Sequence, residues 1–219
     1  MNKMSAETAN EIVPSVLETP TVYKRVYGAL NGGKKPKLCV FDLDYTIWAC
    51  DCDKDIIEPY VEHSTTGINT VFDRHGRLVV LYSGVREILG AIADSEIPVA
   101  FLSRNPSRGS IEKLLKVLRC PSEFTESKTR TFWEIMPDEN YLHAYSNGGF
   151  GKGKDLHFKN LQAVCSIPFS EMIFFDDMYD NVKAASIQGI TSVQLRKTGL
   201  TEEAFLEGIK CWQGRARDE

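Results

Sequence analysis

The sequence predicts an α/β fold, a parallel sheet with helices on both faces, and three observations carry that prediction. Short apolar runs alternate with segments of helical periodicity from Lys37 onward. The connections between them are short. Two of the apolar runs, Leu38 to Phe41 and Met172 to Phe175, end in paired aspartates. Alternation with short connections implies a parallel sheet buried on both sides. Ligands in such sheets bind beyond the C-terminal ends of the strands, where both acid pairs would lie.

Residues 1–36 read as an N-terminal extension, poorly ordered or with a short helix around Thr21 to Leu30, ending in the loop Asn31-Gly32-Gly33-Lys34-Lys35-Pro36. Residues 37–213 form the domain. Leu38 to Phe41 is its first strand. An insertion at about 61–82 contains a hairpin in which Ile68 to Phe72 and Leu78 to Tyr82 flank Asp73-Arg74-His75-Gly76. Ser83 caps a helix whose Val85, Ile88, Leu89 and Ile92 form one apolar stripe. Pro98 to Leu102 is the next strand. Asn105-Pro106 starts a helix with Ile111, Leu114, Leu115 and Leu118 on one face.

The segment near Phe124 has no defined pattern. The Gly-rich stretch 137–153 (Pro137 to Gly153) reads as a loop, with Tyr141, Tyr145 and Phe150 at the surface. Helices are expected at Lys154 to Cys165 and Asn181 to Gln188, strands at Met172 to Phe175 and Thr191 to Leu195, and a last helix from Thr201.

At 219 residues the chain suits one domain. A net charge of -4 gives no general attraction to nucleic acid or anionic membrane, and no apolar run approaches the roughly 18 residues of a membrane span. Met1 to Pro14 lacks the apolar centre of a secretory signal and the Arg-rich character of a transit peptide. A cytoplasmic location and a monomer or weak dimer are expected. Of the six cysteines, Cys39 and Cys165 read as core residues. Cys50, Cys52 and His63 supply only three ligands at a spacing foreign to zinc sites.

The chemistry concentrates in Val40-Phe41-Asp42-Leu43-Asp44-Tyr45-Thr46 and Phe174-Phe175-Asp176-Asp177. Two carboxylates about 4 Å apart repel by roughly 4 kcal/mol at an effective dielectric near 20, so a cation or a proton must offset them. Carboxylate oxygens suit a hard cation, magnesium first. Each signal alone has an ordinary reading: an Asp after a strand commonly caps a helix or forms a turn. Ser103 ends the second strand and, with nearby amides and a helix N-terminus, suits phosphate oxygens. Lys154 opens a helix against its macrodipole, which suggests that it offsets charge elsewhere; Lys152 competes for that role.

The ordered set Asp42-Leu43-Asp44-Tyr45-Thr46, Ser103, Lys154 and Asp176-Asp177 resembles the four motifs of the haloacid dehalogenase-like (HAD-like) phosphatases. It resembles more closely still the magnesium-dependent phosphatase family, small members of this Rossmann-like fold whose cap is reduced to a short insertion. FDLDYTIW, LYSGVREIL, LSRN, KDLHF and IPFSEMIFFDD carry the resemblance over roughly residues 37–210. The KxxHF spacing selects Lys154 over Lys152.

That resemblance implies phosphomonoester hydrolysis through an aspartyl-phosphate. Asp42 is the nucleophile and Asp44 the acid and base. Mg2+ is held by Asp42, the Asp44 carbonyl and one of Asp176 and Asp177, with Asp177 favoured. Ser103, the Leu43 amide and Arg104 contact phosphate, and Lys154 offsets charge. A small sugar phosphate or a phosphotyrosine-like phosphoprotein is the implied substrate, acid-phosphatase or protein-tyrosine-phosphatase-like activity the implied class. The rivals are a receiver-like module, which places its acid pair before its phospho-acceptor, and an inactive phosphate-binding module.

Overall fold

A computed structural model describes residues 21–66, 68–146 and 153–218. Its centre is a five-stranded, all-parallel sheet with strand order β7-β4-β1-β8-β9, built from β1 (Leu38–Phe41), β4 (Val99–Ser103), β7 (Leu142–Ala144), β8 (Met172–Asp176) and β9 (Thr191–Gln194). Successive strands run outward from β1 first on one side and then on the other. The order therefore reverses at β1, and the crevice at that point opens over the C-terminal ends of β1, β4 and β8.

Period-two alternation divides the sheet's side chains between two cores. Leu38, Val40, Ala100, Leu102, Met172 and Phe174 face one way, against Phe158 and Leu161 of α4 (Asp155–Cys165) and Ala185 of α5 (Tyr179–Ile187). Cys39, Phe41, Val99, Phe101, Ile173 and Phe175 face the other, against α1 (Val22–Asn31), α2 (Val85–Asp94), α3 (Arg108–Val117) and α6 (Glu202–Asp218). The predicted stripes Val85, Ile88, Leu89, Ile92 and Ile111, Leu114, Leu115, Leu118 are fully buried.

Several local expectations are corrected. The segment before residue 37 is more than an extension: Tyr23, Val26 and Leu30 of α1 are buried in the larger core, and the Tyr23 hydroxyl donates to buried Asp94 at 2.6 Å. Residues 1–20 lie outside the described residues. The hairpin pairs β3 (Ile68–Phe72) with the earlier β2 (Val61–Thr66). Leu78 to Tyr82 makes isolated bridges, Phe72 to Leu78 and Trp48 to Leu81, because it is shared between β3 and the segment Ile47 to Ala49. Asp73 closes the intervening turn by accepting from the N–H groups of Ile57, His75 and Arg77.

The cap of α2 is Gly84 at φ 84°, not Ser83. Helix α3 begins at Arg108, two residues after Pro106, because Asn105 is engaged elsewhere. The stretch 137–153 contains a 3-10 turn (Glu139–Tyr141) and the edge strand β7. Tyr141 and Tyr145 are half-buried, and Phe150 lies outside the described residues. Phe124 sits in a second small hairpin between β5 (Arg119–Pro121) and β6 (Thr129–Thr131). Cys165 is half-buried. Among the described residues no helix is long and apolar enough to cross a membrane.

Because Leu30 is fully buried where α1 meets α2 and α6, Leu30→Ala should lower unfolding stability by about 2–5 kcal/mol. Urea denaturation checks this; a loss below about 0.5 kcal/mol would mark α1 as an appendage.

Candidate active site

Three strand ends, those of β1, β4 and β8, and the start of α4 converge in a cleft of about 470 Å³. Asp42 follows β1 directly, its N–H donating to the Phe175 carbonyl at 3.0 Å. Tyr45 then adopts a left-handed conformation, φ 58°, which turns the chain sharply out of the sheet. The Leu43 carbonyl accepts from the N–H groups of Thr46, Ile47 and Trp48 and closes the turn, while the Leu43 side chain is buried in the core. Asp42, Asp44, Ser103, Arg104, Lys154 and Asp177 all line the cleft.

Lys154 is fully buried, and its ammonium bridges Asp42 Oδ1 and Asp176 Oδ2, the latter at 2.7 Å. Burial works against the charge, but Asp176 and Asp42 outweigh it and raise the lysine pKa. The ammonium also lies 5.4 Å from the Phe174 ring centroid. Gly153 makes the approach possible: a Cβ there would meet the Ala184 Cβ at 2.5 Å and the Asp180 carbonyl at 2.7 Å. Lys152 lies outside the described residues.

The members of each acid pair differ in surroundings. Burial pushes the Asp42 carboxyl well above the usual carboxylate range, opposed by Lys154 and reinforced by Asp176. Asp44 is cradled by donors: Trp48 Nε1 at 2.6 Å and the Cys52 N–H at 3.2 Å reach Oδ1, and Asn105 Nδ2 reaches Oδ2 at 2.9 Å. Asp176 is saturated, accepting from Lys154, from Asn181 Nδ2 at 2.9 and 3.1 Å, and from the Met178 N–H at 2.7 Å. Asp177 is half-buried and pushed up to about 6 by burial and by Asp176.

Asp42, Asp176 and Asp177 each present a carboxylate oxygen within 4.8 Å of the others, and among the described residues they form the one such cluster. Three carboxylates against one ammonium leave two negative charges, the complement of one divalent cation. An all-oxygen donor set fits Mg2+. Cys50, Cys52 and His63 form no such cluster among the described residues.

Sequence reasoning missed Asn105, Trp48 and His157. Asn105 reads as a helix cap in the sequence, yet its amide holds Asp44 while its Oδ1 accepts from the Ser107 N–H at 3.0 Å. His157 is buried, with Nε2 3.0 Å from the Ser103 carbonyl and 3.1 Å from the Tyr145 carbonyl. Two carbonyl acceptors require that Nε2 carry the proton. The ring stacks on Tyr145 with centroids 4.1 Å apart, so α4 pins the end of β4 that presents Ser103. Its place in KxxHF was the available signal.

These features define the class: a HAD-like hydrolase, with a strand-end aspartate, a buried lysine and an acid cluster at the switch point of a parallel sheet. A family model described as acid phosphatase matches residues 34–215. Human magnesium-dependent phosphatase 1 is 32% identical over 177 residues, covering 81% of this chain and 87% of that protein. A HAD-like hydrolase superfamily protein of Schizosaccharomyces pombe is 26% identical over 173 residues, covering 78% and 93%. The chain belongs to the HAD-like magnesium-dependent phosphatase family.

Solved structures agree on the fold. A haloacid dehalogenase-like family hydrolase from Xanthomonas campestris superposes with a TM-score of 0.53 at 11% identity, covering 85% of this chain and 100% of that one. The N-terminal part of a Bacteroides fragilis protein, containing a phosphatase domain complexed with Mg, gives a TM-score of 0.50 at 17% identity, covering 84% of this chain and 42% of that one.

Burial, with Lys154 adding repulsion, lowers the His157 pKa to about 4 from 6.5. The unfolded chain therefore binds an extra proton between those values. The resulting stability is complete above about pH 6.5 and is lost as pH falls toward 4, by at most about 3 kcal/mol. Urea midpoints measured across that window should fall with pH in the wild type and fall less in His157→Gln; parallel profiles would refute the assignment.

Proposed function

We propose that the protein hydrolyses phosphomonoesters with magnesium through an aspartyl-phosphate on Asp42, acting in the cytosol on a small phosphorylated metabolite such as a sugar phosphate. The observation that carries this reading is the Lys154 bridge, which holds Asp42 Oδ1 in the cleft while Oδ2, among the described residues, accepts only a long 3.5 Å contact from the Thr46 hydroxyl. When bound, magnesium supplies charge neutralisation for the phosphoryl oxygens. Asp42 and Asp177 would hold it, with the Asp44 carbonyl as a further ligand. The saturation of Asp176 by four donor contacts suits it to orienting Lys154 and Asn181 rather than to ligation.

In the first step an Asp42 oxygen forms a bond to phosphorus and the bond to the ester oxygen breaks. Asp44, in its protonated form, gives the departing oxygen its proton. Water then attacks phosphorus, Asp44 takes the water's proton, and the Asp42–phosphorus bond breaks to release inorganic phosphate. The three N–H donors around Asp44 keep its carboxyl in one orientation through both transfers. Ser103, Arg104 and Lys154 line the cleft and would contact the phosphoryl oxygens, with the backbone amide of Leu43 as a further donor. No described residue of the short β2–β3 hairpin lines the cleft; with so little cover, a phosphotyrosine-like substrate is the second reading.

Purified protein should hydrolyse p-nitrophenyl phosphate with magnesium, lose activity in EDTA, and lose at least about a thousandfold in Asp42→Asn. Absence of turnover in every condition would refute the phosphatase reading. Asp177→Asn should raise the magnesium concentration needed for half-maximal activity by about tenfold or more, whereas Asp176→Asn should lower thermal stability through Lys154. The reverse pattern would exchange their roles.

A further inference from the structure

A second cavity, of about 710 Å³, adjoins the catalytic cleft and shares Tyr45 and Asp177 with it. Its remaining wall includes Tyr82, Gln194, Arg196 and Lys197. The turn that carries the two cations is tied to catalytic elements at both ends. The Leu195 N–H donates to the Asp176 carbonyl at 2.8 Å, and the Leu200 N–H donates to the Thr46 carbonyl at 2.9 Å. Between them the Gly199 N–H closes on the Arg196 carbonyl at 2.9 Å. Gly199 has φ 60°, and the Tyr82 ring lies so close that a Cβ there would sit 2.1 Å from a ring carbon. No side chain fits at that position, so the glycine lets Tyr82 brace the turn.

Leu195 and Leu200 are buried, whereas Arg196 and Lys197 are exposed. Among the described residues neither cation's side chain has a hydrogen-bond or ion-pair partner. Asp51 and Asp53, by contrast, line the catalytic cleft but not this cavity. In the catalytic cleft Asp51 is already paired with Lys54 at 2.5 Å, whereas the second cavity sets two partnerless cations against the single carboxylate of Asp177. Each volume falls within the roughly 300–1,000 Å³ of small-molecule sites.

We propose that this cavity receives the far end of the substrate, and that the substrate is a small phosphomonoester bearing a second anionic group, carboxylate or phosphate, recognised by Arg196 and Lys197. The inference rests on the phosphatase reading above and names the substrate class within it. The partnerless cations lie in the second cavity and not in the catalytic cleft, which sets the direction in which an anionic tail would lie. Tyr45 and Tyr82 offer apolar ring surface to the carbon skeleton between the two anions. The planar guanidinium of Arg196 matches either anion in a bidentate contact, and Lys197 adds a point charge.

The test is the specificity constant for two matched pairs, 6-phosphogluconate against glucose 6-phosphate and fructose 1,6-bisphosphate against fructose 6-phosphate. Wild-type protein should prefer the doubly anionic member of at least one pair by about tenfold or more, and the double variant Arg196→Gln, Lys197→Gln should collapse that ratio toward one. No preference in either pair, or a preference that survives the double variant, would overturn the proposal. p-Nitrophenyl phosphate separates the two levels of failure. If it is turned over while both pairs are treated alike, the subsite alone is wrong; if the wild type fails to hydrolyse it with magnesium, the phosphatase reading falls and the subsite with it. A phosphotyrosine peptide flanked by aspartates that outperforms both sugars, and loses its advantage in the double variant, would overturn the small-molecule assignment.

Discussion

The buried Lys154 ammonium between Asp42 and Asp176 is the interaction on which the rest of the structure depends. Removing an ammonium from water costs several kcal/mol, which only close, well-directed carboxylates repay. Here two carboxylates on adjacent strands do so, and the lysine in turn holds together two groups that would otherwise repel. The geometry has a local cost. A cation at the start of α4 opposes the helix macrodipole by about 0.3–1 kcal/mol, small beside the penalty of leaving either acid unpaired. The close packing of Gly153 on α5 and the His157 bond to the Ser103 carbonyl serve the same end, since both hold the first turn of α4 against the strand ends.

Around this pair, four aspartates of identical chemistry acquire four environments. Asp42 has burial and an ammonium, Asp44 three N–H donors, Asp176 a full complement of partners, and Asp177 partial burial with an acidic neighbour. Separate environments allow carboxylates in one cleft to take separate tasks. Asp42 directly follows β1 and Asp176 closes β8, whereas Asp44 and Asp177 lie farther along, where the chain has left the sheet.

The central sheet and the acid pairs were legible in the sequence because both obey short-range rules. Apolar runs such as Met172 to Phe175 announce buried strands, and an acid directly after them sits at the C-terminal edge. What escaped depends on partners distant in sequence. Strand β7 has three residues inside a Gly-, Asn- and Tyr-rich stretch, too few to establish a period. Asn105 satisfies every local rule for a helix cap, and only the approach of Asp44 from 61 residues away redirects its amide. Leu78 to Tyr82 has good strand composition, but two neighbours divide its edge. Helix α1 looked peripheral because its partners, α2 and α6, lie far along the chain.

The wide spacing of Asp42, Ser103, Lys154 and Asp176 has a consequence for how the protein becomes competent. Lys154 meets an acid 112 residues earlier and another 22 residues later, so no short segment contains a working part of the centre. Non-local parallel pairing incurs its loop-closure entropy before it gains contacts, and such topologies assemble slowly. Until β8 docks beside β1, the aspartates and the lysine remain separately hydrated. Chemical competence therefore arrives only when β8 docks beside β1, as an all-or-none property of the folded chain.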